Sequence, residues 1–239
     1  MTQLAIGHLY TALHAACASA VARVIEANGF DVSYVDLSVE EREEALANHE
    51  IDILVSAWMP RDHALISDER EAIGDLYQPQ PTLAVLKDQA AGWDHAQTTI
   101  ILTTEEARPW AEKYKASQAS LQKISLEVVG ESALIARVGQ AASSGEKPLC
   151  ALWQPHAIFH TDKLAILPET EALEKQSLSA QMVLRDGLRA EIDEDLLDEL
   201  SIMMLGNRVM NALDYAVSVE EEDPEAAAEA WQRGRLLPR

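Results

Sequence analysis

Ile51-Asp-Ile-Leu-Val-Ser-Ala-Trp-Met-Pro-Arg-Asp-His63 is an apolar run that ends in an aromatic, a proline turn and a histidine. A second ending of the same kind lies a hundred residues on, at Leu149-Cys-Ala-Leu-Trp-Gln-Pro-His156. A short apolar run bounded by turn residues has the length of a buried strand. Two such strands, each delivering a Trp-x-Pro loop with a histidine after it, suggest two walls of one pocket.

The elements around the first stretch settle the fold class. Leu4–Gly7 is a short apolar run closed by glycine. Thr11–Ala27 carries apolar residues at helical spacing (Leu13, Cys17, Ala20, Val21, Val24, Ile25) and stops at Asn28-Gly29. Asp31–Leu37 alternates like a strand, and Ser38 is placed to cap a charged helix running to Asn48. With Ile51–Ala57 this makes β-α-β-α-β, which predicts a parallel sheet with helices on its faces. Ligands in such sheets sit beyond the carboxyl ends of the strands, where Gly7–Tyr10 and Trp58–His63 fall.

The polar stretch Ser67–Tyr77 and Gln78-Pro-Gln-Pro81 interrupt the pattern, which then begins afresh. Strands are expected at Leu83–Leu86, Thr98–Leu102, Ser125–Val129, Leu149–Leu152 and Leu164–Leu167, with helices at Glu105–Tyr114 and Ser132–Ala142. Ser179–Arg185 reads as a mixed segment. Helices close the chain at Asp193–Leu205, Arg208–Val217 and Pro224–Arg233, the last with Asp223 as its cap and Pro224 in its first turn. The expected architecture is α/β with two lobes, 1–79 plus 163–239 and an inserted 80–162. Crossings near Pro79 and Thr161 would let the lobes close on a ligand.

Composition narrows the function. The 239 residues carry a formal net charge of −21, which argues against a nucleic-acid partner, because that affinity comes from Lys and Arg neutralising phosphate. No run of about 18 apolar residues is present, so no direct membrane insertion is expected. The start, Met-Thr-Gln-Leu-Ala-Ile, lacks the basic and apolar regions of a secretory leader. The chain is therefore expected in the cytoplasm, or in a periplasmic or extracytoplasmic compartment if a leader was removed. Cys17 and Cys150 read as buried free thiols.

The candidate site residues suit binding better than catalysis. The faces of Trp58 and Trp153 offer negative potential and almost no hydrogen bonding, which fits a quaternary ammonium group. Tyr10 could be a third aromatic wall. The backbone amides of His8 and Leu9 precede a helix N-terminus, a favourable place for a carboxylate, and Gly7 would allow close approach. His156 could donate to a carboxylate. His156 and His160 have i, i+4 spacing but not the surroundings of a metalloprotease helix, Gly139–Lys147 fails the phosphate-loop pattern, and no Gly-x-Ser-x-Gly elbow occurs. No enzyme, cofactor or metal is expected.

These stretches resemble the glycine betaine/choline substrate-binding proteins of ABC transporters, which are type II periplasmic binding proteins. The resemblance rests on Glu50–Pro60 with His63, on Leu152–His156 followed by Leu164–Glu169, on Gly130-Glu-Ser-Ala-Leu and on the ending Asp223–Trp231, and it covers most of the chain in order. It implies a two-lobed clamp whose tryptophans cage a trimethylammonium group. Trp58 and Trp153 would be cage walls, His156 and the first-loop amides the carboxylate donors, and His63 matches a family histidine. Many members have Trp where this chain has Tyr10, and Trp93 and Trp110 are further candidates for the cage, although Trp110 reads as helix core. The implied role is delivery of glycine betaine or a related quaternary ammonium solute to an ABC permease. The alternative is a cytoplasmic sensor using the same clamp.

Overall fold

The computed structural model describes residues 3–173 and 177–236. In chain order the strands and helices are β1 (Gln3–Leu9), α1 (Ala12–Ala27), β2 (Asp31–Leu37), α2 (Arg42–Ala47), β3 (Ile53–Met59), β4 (Ala72–Tyr77), β5 (Gln80–Leu86), β6 (Ile100–Thr103), α3 (Arg108–Ser117), β7 (Leu126–Val128), α4 (Glu131–Ser144), β8 (Pro148–Gln154), β9 (Leu164–Ile166), β10 (Ser179–Leu184), α5 (Glu194–Ile202), α6 (Gly206–Ser218) and α7 (Pro224–Gln232). The chain divides into two compact units, one running to Pro79 and resuming at Leu178, the other Gln80–Ser177.

The first unit has a five-stranded sheet in the order β2-β1-β3-β10-β4. β2, β1 and β3 are parallel, as the β-α-β-α-β pattern requires. β10 is antiparallel to both β3 and β4, so the sheet is mixed and not the parallel one expected. β4 falls in the stretch expected to be an interruption, because Asp68, Glu69, Arg70, Glu71 and Gly74 give its neighbourhood the composition of a loop. Thr11 caps α1 by accepting the His14 N–H at 3.3 Å. The small buried face of α1 (Ala16, Cys17, Ala20, Val21) allows close packing against α6 and α7. The opposite side of the sheet packs on α2 through Leu37, Leu46, Ile51, Leu54 and Val183. Asp223 caps α7, accepting from the Glu225 and Ala226 amides, with Pro224 at the first helical position.

The second unit repeats the theme with the order β7-β6-β8-β5-β9. α4 covers one face through Leu134 and Val138 on Leu86, Leu102, Cys150 and Leu152. α3 covers the other through Ala111, with Leu83, Val85, Ile101, Leu149 and Ala151. The return to the first unit falls later than the expected residue 163, because β9 belongs to this sheet, pairing antiparallel with β5 (Val85 opposite Ala165). Beyond β9, Thr170 Oγ1 accepts from the Leu83 N–H at 3.0 Å and donates to the Leu83 carbonyl at 3.1 Å, binding the following turn to β5 as well. Cys17 and Cys150 are free and buried, and burial pushes the Cys150 thiol up to about 12.

Candidate functional site

In the first unit the chemistry gathers at one end of the sheet. β1 and β3 are neighbours running in the same direction, with Gly7 opposite Leu54. The chain therefore leaves both at the same edge, through Tyr10-Thr11 after β1 and Pro60–Asp62 after β3. Tyr10 is 67% exposed in this bend.

Trp58 owes its direction to an irregularity in β3. Against β10, Ala57 lies opposite Gln181 and Leu54 opposite Val183, so β3 holds one residue more than its partner across this interval. Ser56 supplies the bulge, with φ +68° in the left-handed region that serine seldom occupies. Strict alternation would put Trp58 on the same face as Leu54. With the bulge, Leu54 and Ala57 share the α2-side core, and Trp58 projects to the opposite side. There its Nε1 donates to Tyr77 Oη at 3.2 Å, and Tyr77 Oη pairs with Ser56 Oγ. The residue that turns the indole is also part of the network that holds it.

The turn after Trp58 is fixed by Asp62. Its carboxylate accepts the Trp58 backbone N–H at 2.8 Å and two guanidinium N–H groups of Arg42 at 3.0 and 3.4 Å, while the Asp62 amide donates to the Trp58 carbonyl at 2.9 Å. The Arg61 guanidinium carbon sits 4.2 Å from the centroid of the Trp58 ring, a cation–π arrangement. Trp58 is only 2% exposed, so this face is covered.

The first-loop residues have other duties. Gly7 lies inside β1, and a Cβ there would stand 2.6 Å from Ile51 Cδ1 and 2.9 Å from Leu37 Cδ1, so packing accounts for the glycine. His8 and Leu9 are still in the ladder to β2, opposite Asp36 and Leu37, whereas α1 begins only at Ala12. The His8 ring is buried, with Nδ1 3.1 Å from the Leu9 carbonyl and 3.4 Å from Asp36 Oδ1. His63 is exposed and opens the 3-10 turn His63–Leu65, which Leu65 anchors in the core. Behind this edge His14 is buried against Thr11 Oγ1 at 2.6 Å, and desolvation, with His8, Arg42 and Arg61 nearby, lowers its pKa to about 3.

In the second unit β8 alternates regularly. Leu149 and Ala151 face α3, and Trp153 follows them onto that side, where its edge meets Trp110 with ring centroids 6.4 Å apart at 73°. Its Nε1 donates to the Glu106 carbonyl at 3.4 Å. Trp110 and Trp93 both pack on the α3-side core, in keeping with the helix-core reading of Trp110. As in the first loop, the X-Pro bond is cis: Gln154-Pro155 here, Met59-Pro60 there.

His156 caps the turn Ala157–Thr161, its Nδ1 accepting the Ile158 N–H at 3.0 Å. An accepting Nδ1 has no proton, so the neutral ring carries its hydrogen on Nε2. That nitrogen lies 2.5 Å from Glu131 Oε2, at the first position of α4. The Glu131 carboxylate thus stands close to the nitrogen expected to meet a ligand carboxylate. Among the described residues, no three His, Cys, Asp or Glu side chains gather as a metal ion would need.

Residues 3–233 match the family described as the substrate-binding domain of ABC-type glycine betaine transport systems. The chain belongs to this family. Among the solved structures that share its fold are the following three. Lactococcal OpuAC, solved in a closed conformation with glycine betaine, is 18% identical, with a TM-score of 0.76 over 99% of this chain and 98% of that one. A choline-binding protein of an ABC transporter, solved with choline, is 20% identical with a TM-score of 0.67, over 97% and 88%. The glycine betaine/L-proline-binding protein of Borrelia burgdorferi is 17% identical with a TM-score of 0.69, over 96% and 92%. No curated protein sequence matches at a significant level. These neighbours identify the fold of the substrate-binding domain as that of the type II periplasmic binding proteins, and the family makes it the solute-binding component of an ABC transporter.

Proposed function

We propose that this substrate-binding domain captures a quaternary ammonium solute, of the glycine betaine and choline type, and hands it to an ABC permease outside the cytoplasmic membrane. Trp58 and Trp153 are the rings offered to the cation, His156 is the donor for the ligand's other polar end, and Tyr10 is an exposed aromatic in the loop that leaves the same end of the sheet as the one after Trp58. The observation that carries this reading is the Arg61 guanidinium on the Trp58 ring. A guanidinium is a broad, weakly hydrated cation, and a trimethylammonium group shares those properties. A ring held by Asp62, Tyr77 and Ser56 to accept the one is built to accept the other.

Transport fits the family better than the sensor alternative. The role is binding and release, with no bond of the ligand altered. No helix among the described residues is long and apolar enough to cross a membrane. A thermal-shift screen over glycine betaine, choline, carnitine, ectoine and neutral amino acids tests the reading, because a ligand specific for the folded state raises the melting temperature by mass action. Stabilisation by trimethylammonium compounds and not by leucine or glutamine is expected. Stabilisation by the amino acids alone would overturn it.

A further inference from the structure

We infer that Glu131 sets which quaternary ammonium compounds are accepted, favouring those whose second polar group is a hydroxyl over those that end in a carboxylate. This rests on the quaternary ammonium reading above and adds the charge class of the ligand's far end.

His156 has one hydrogen to offer, on Nε2, because its Nδ1 is occupied by the Ile158 amide. Glu131 Oε2 stands 2.5 Å from that nitrogen. The Glu131 carboxylate also lies in the first turn of the fourteen-residue helix α4, where the helix dipole favours a negative charge.

A ligand carboxylate brought to the same N–H would be an acceptor beside an acceptor and a negative charge beside a negative charge. The His156 side chain is almost wholly buried, whereas the Glu131 carboxylate that carries the charge is 55% exposed, so solvent screens part of that repulsion. A hydroxyl behaves differently, being donor and acceptor at once. It can accept from His156 Nε2–H and donate to Glu131, so one ligand group serves both protein groups. The insertion requires Glu131 to retreat by about one atom's width, and its side chain, 55% exposed, has solvent to retreat into. Charge balance agrees: a cationic alcohol is neutralised by Glu131, whereas a zwitterion leaves Glu131 uncompensated.

The test is calorimetric titration of choline and of glycine betaine into the wild-type chain and into Glu131→Gln, near pH 7.5. Glutamine keeps the size and the acceptor oxygen and removes the charge, and the partly exposed position leaves folding intact, which a melting curve checks. The wild type is expected to prefer choline by about tenfold or more, and Glu131→Gln to close that gap by about tenfold through a gain for glycine betaine. A wild type that prefers glycine betaine, or a ratio of affinities that moves less than about twofold in the variant, overturns the inference and leaves the quaternary ammonium reading standing. Failure of both ligands to bind either protein would overturn that reading, and the inference with it.

Discussion

The Asp62 carboxylate accepts the backbone N–H of Trp58 at 2.8 Å and holds the Arg42 guanidinium at 3.0 Å, so one buried acid organises the whole turn that presents the indole. Removing it as Asp62→Ala leaves the Arg42 cation buried without this partner. The expected loss is about 3–5 kcal/mol of stability. Asp62→Asn, which retains one acceptor oxygen, should lose less. Urea denaturation of the two variants checks the order, and equal midpoints for wild type and Asp62→Ala would contradict this role for the acid.

On the proposed reading, Arg61 and an incoming cation compete for the same ring face. A surface cation–π contact contributes about 0.5–1 kcal/mol, and more when desolvated. Arg61→Gln is therefore expected to raise the affinity for a quaternary ammonium ligand about two- to tenfold, and to alter tryptophan emission in the unliganded chain. Weaker binding in the variant would mean that Arg61 contacts the ligand instead of yielding to it.

Gly7→Ala tests whether that glycine serves packing or ligand approach. The added methyl meets Ile51 Cδ1 at 2.6 Å and Leu37 Cδ1 at 2.9 Å in a filled core, so a loss of about 1–3 kcal/mol is expected. Ile51→Val, which deletes the nearer methyl, should restore part of it in the double variant. Additive losses in thermal denaturation would show that the clash is not the cause.

His14 makes folding acid-sensitive in a defined window. Burial lowers its pKa to about 3, against about 6.5 when unfolded. Between those values the unfolded chain binds a proton that the native chain does not, so stability falls as the pH drops from about 6.5 towards 3. His14→Gln removes this contribution and should flatten the dependence of stability on pH over that range. Parallel curves for variant and wild type would contradict it.

Most of this architecture was legible in the sequence, and the parts that were not share a physical reason. α1, β2, β3 and the capped α7 follow from periodicity and capping, which are local. β10 and β4 are made strands by pairing with β3 and with each other, and their composition alone reads as mixed or loop-like. The late return to the first unit escaped notice because β9 is assigned by a partner some eighty residues earlier. Trp58, Trp153 and His156 stand out by their matched settings, and their part in binding is the proposal made above. The Ser56 bulge could not, since nothing in Val-Ser-Ala announces a positive φ. Arg61 and Asp62 were in plain view inside the opening stretch, but their roles depend on Arg42 and on the folded indole. Glu131 looks in sequence like an ordinary helix start, and only the fold brings it within 2.5 Å of His156.

The central claim is that tryptophan faces bind the ligand's cation. Calorimetric titration of choline and glycine betaine into wild type, Trp58→Ala and Trp153→Ala, each verified as folded by circular dichroism, tests it most directly. Saturable one-to-one binding by the wild type is expected for at least one of the two, with a loss of tenfold or more in each variant, about 1.4 kcal/mol or more. Undiminished affinity in either folded variant would contradict the claim for that ring, and undiminished affinity in both would end it.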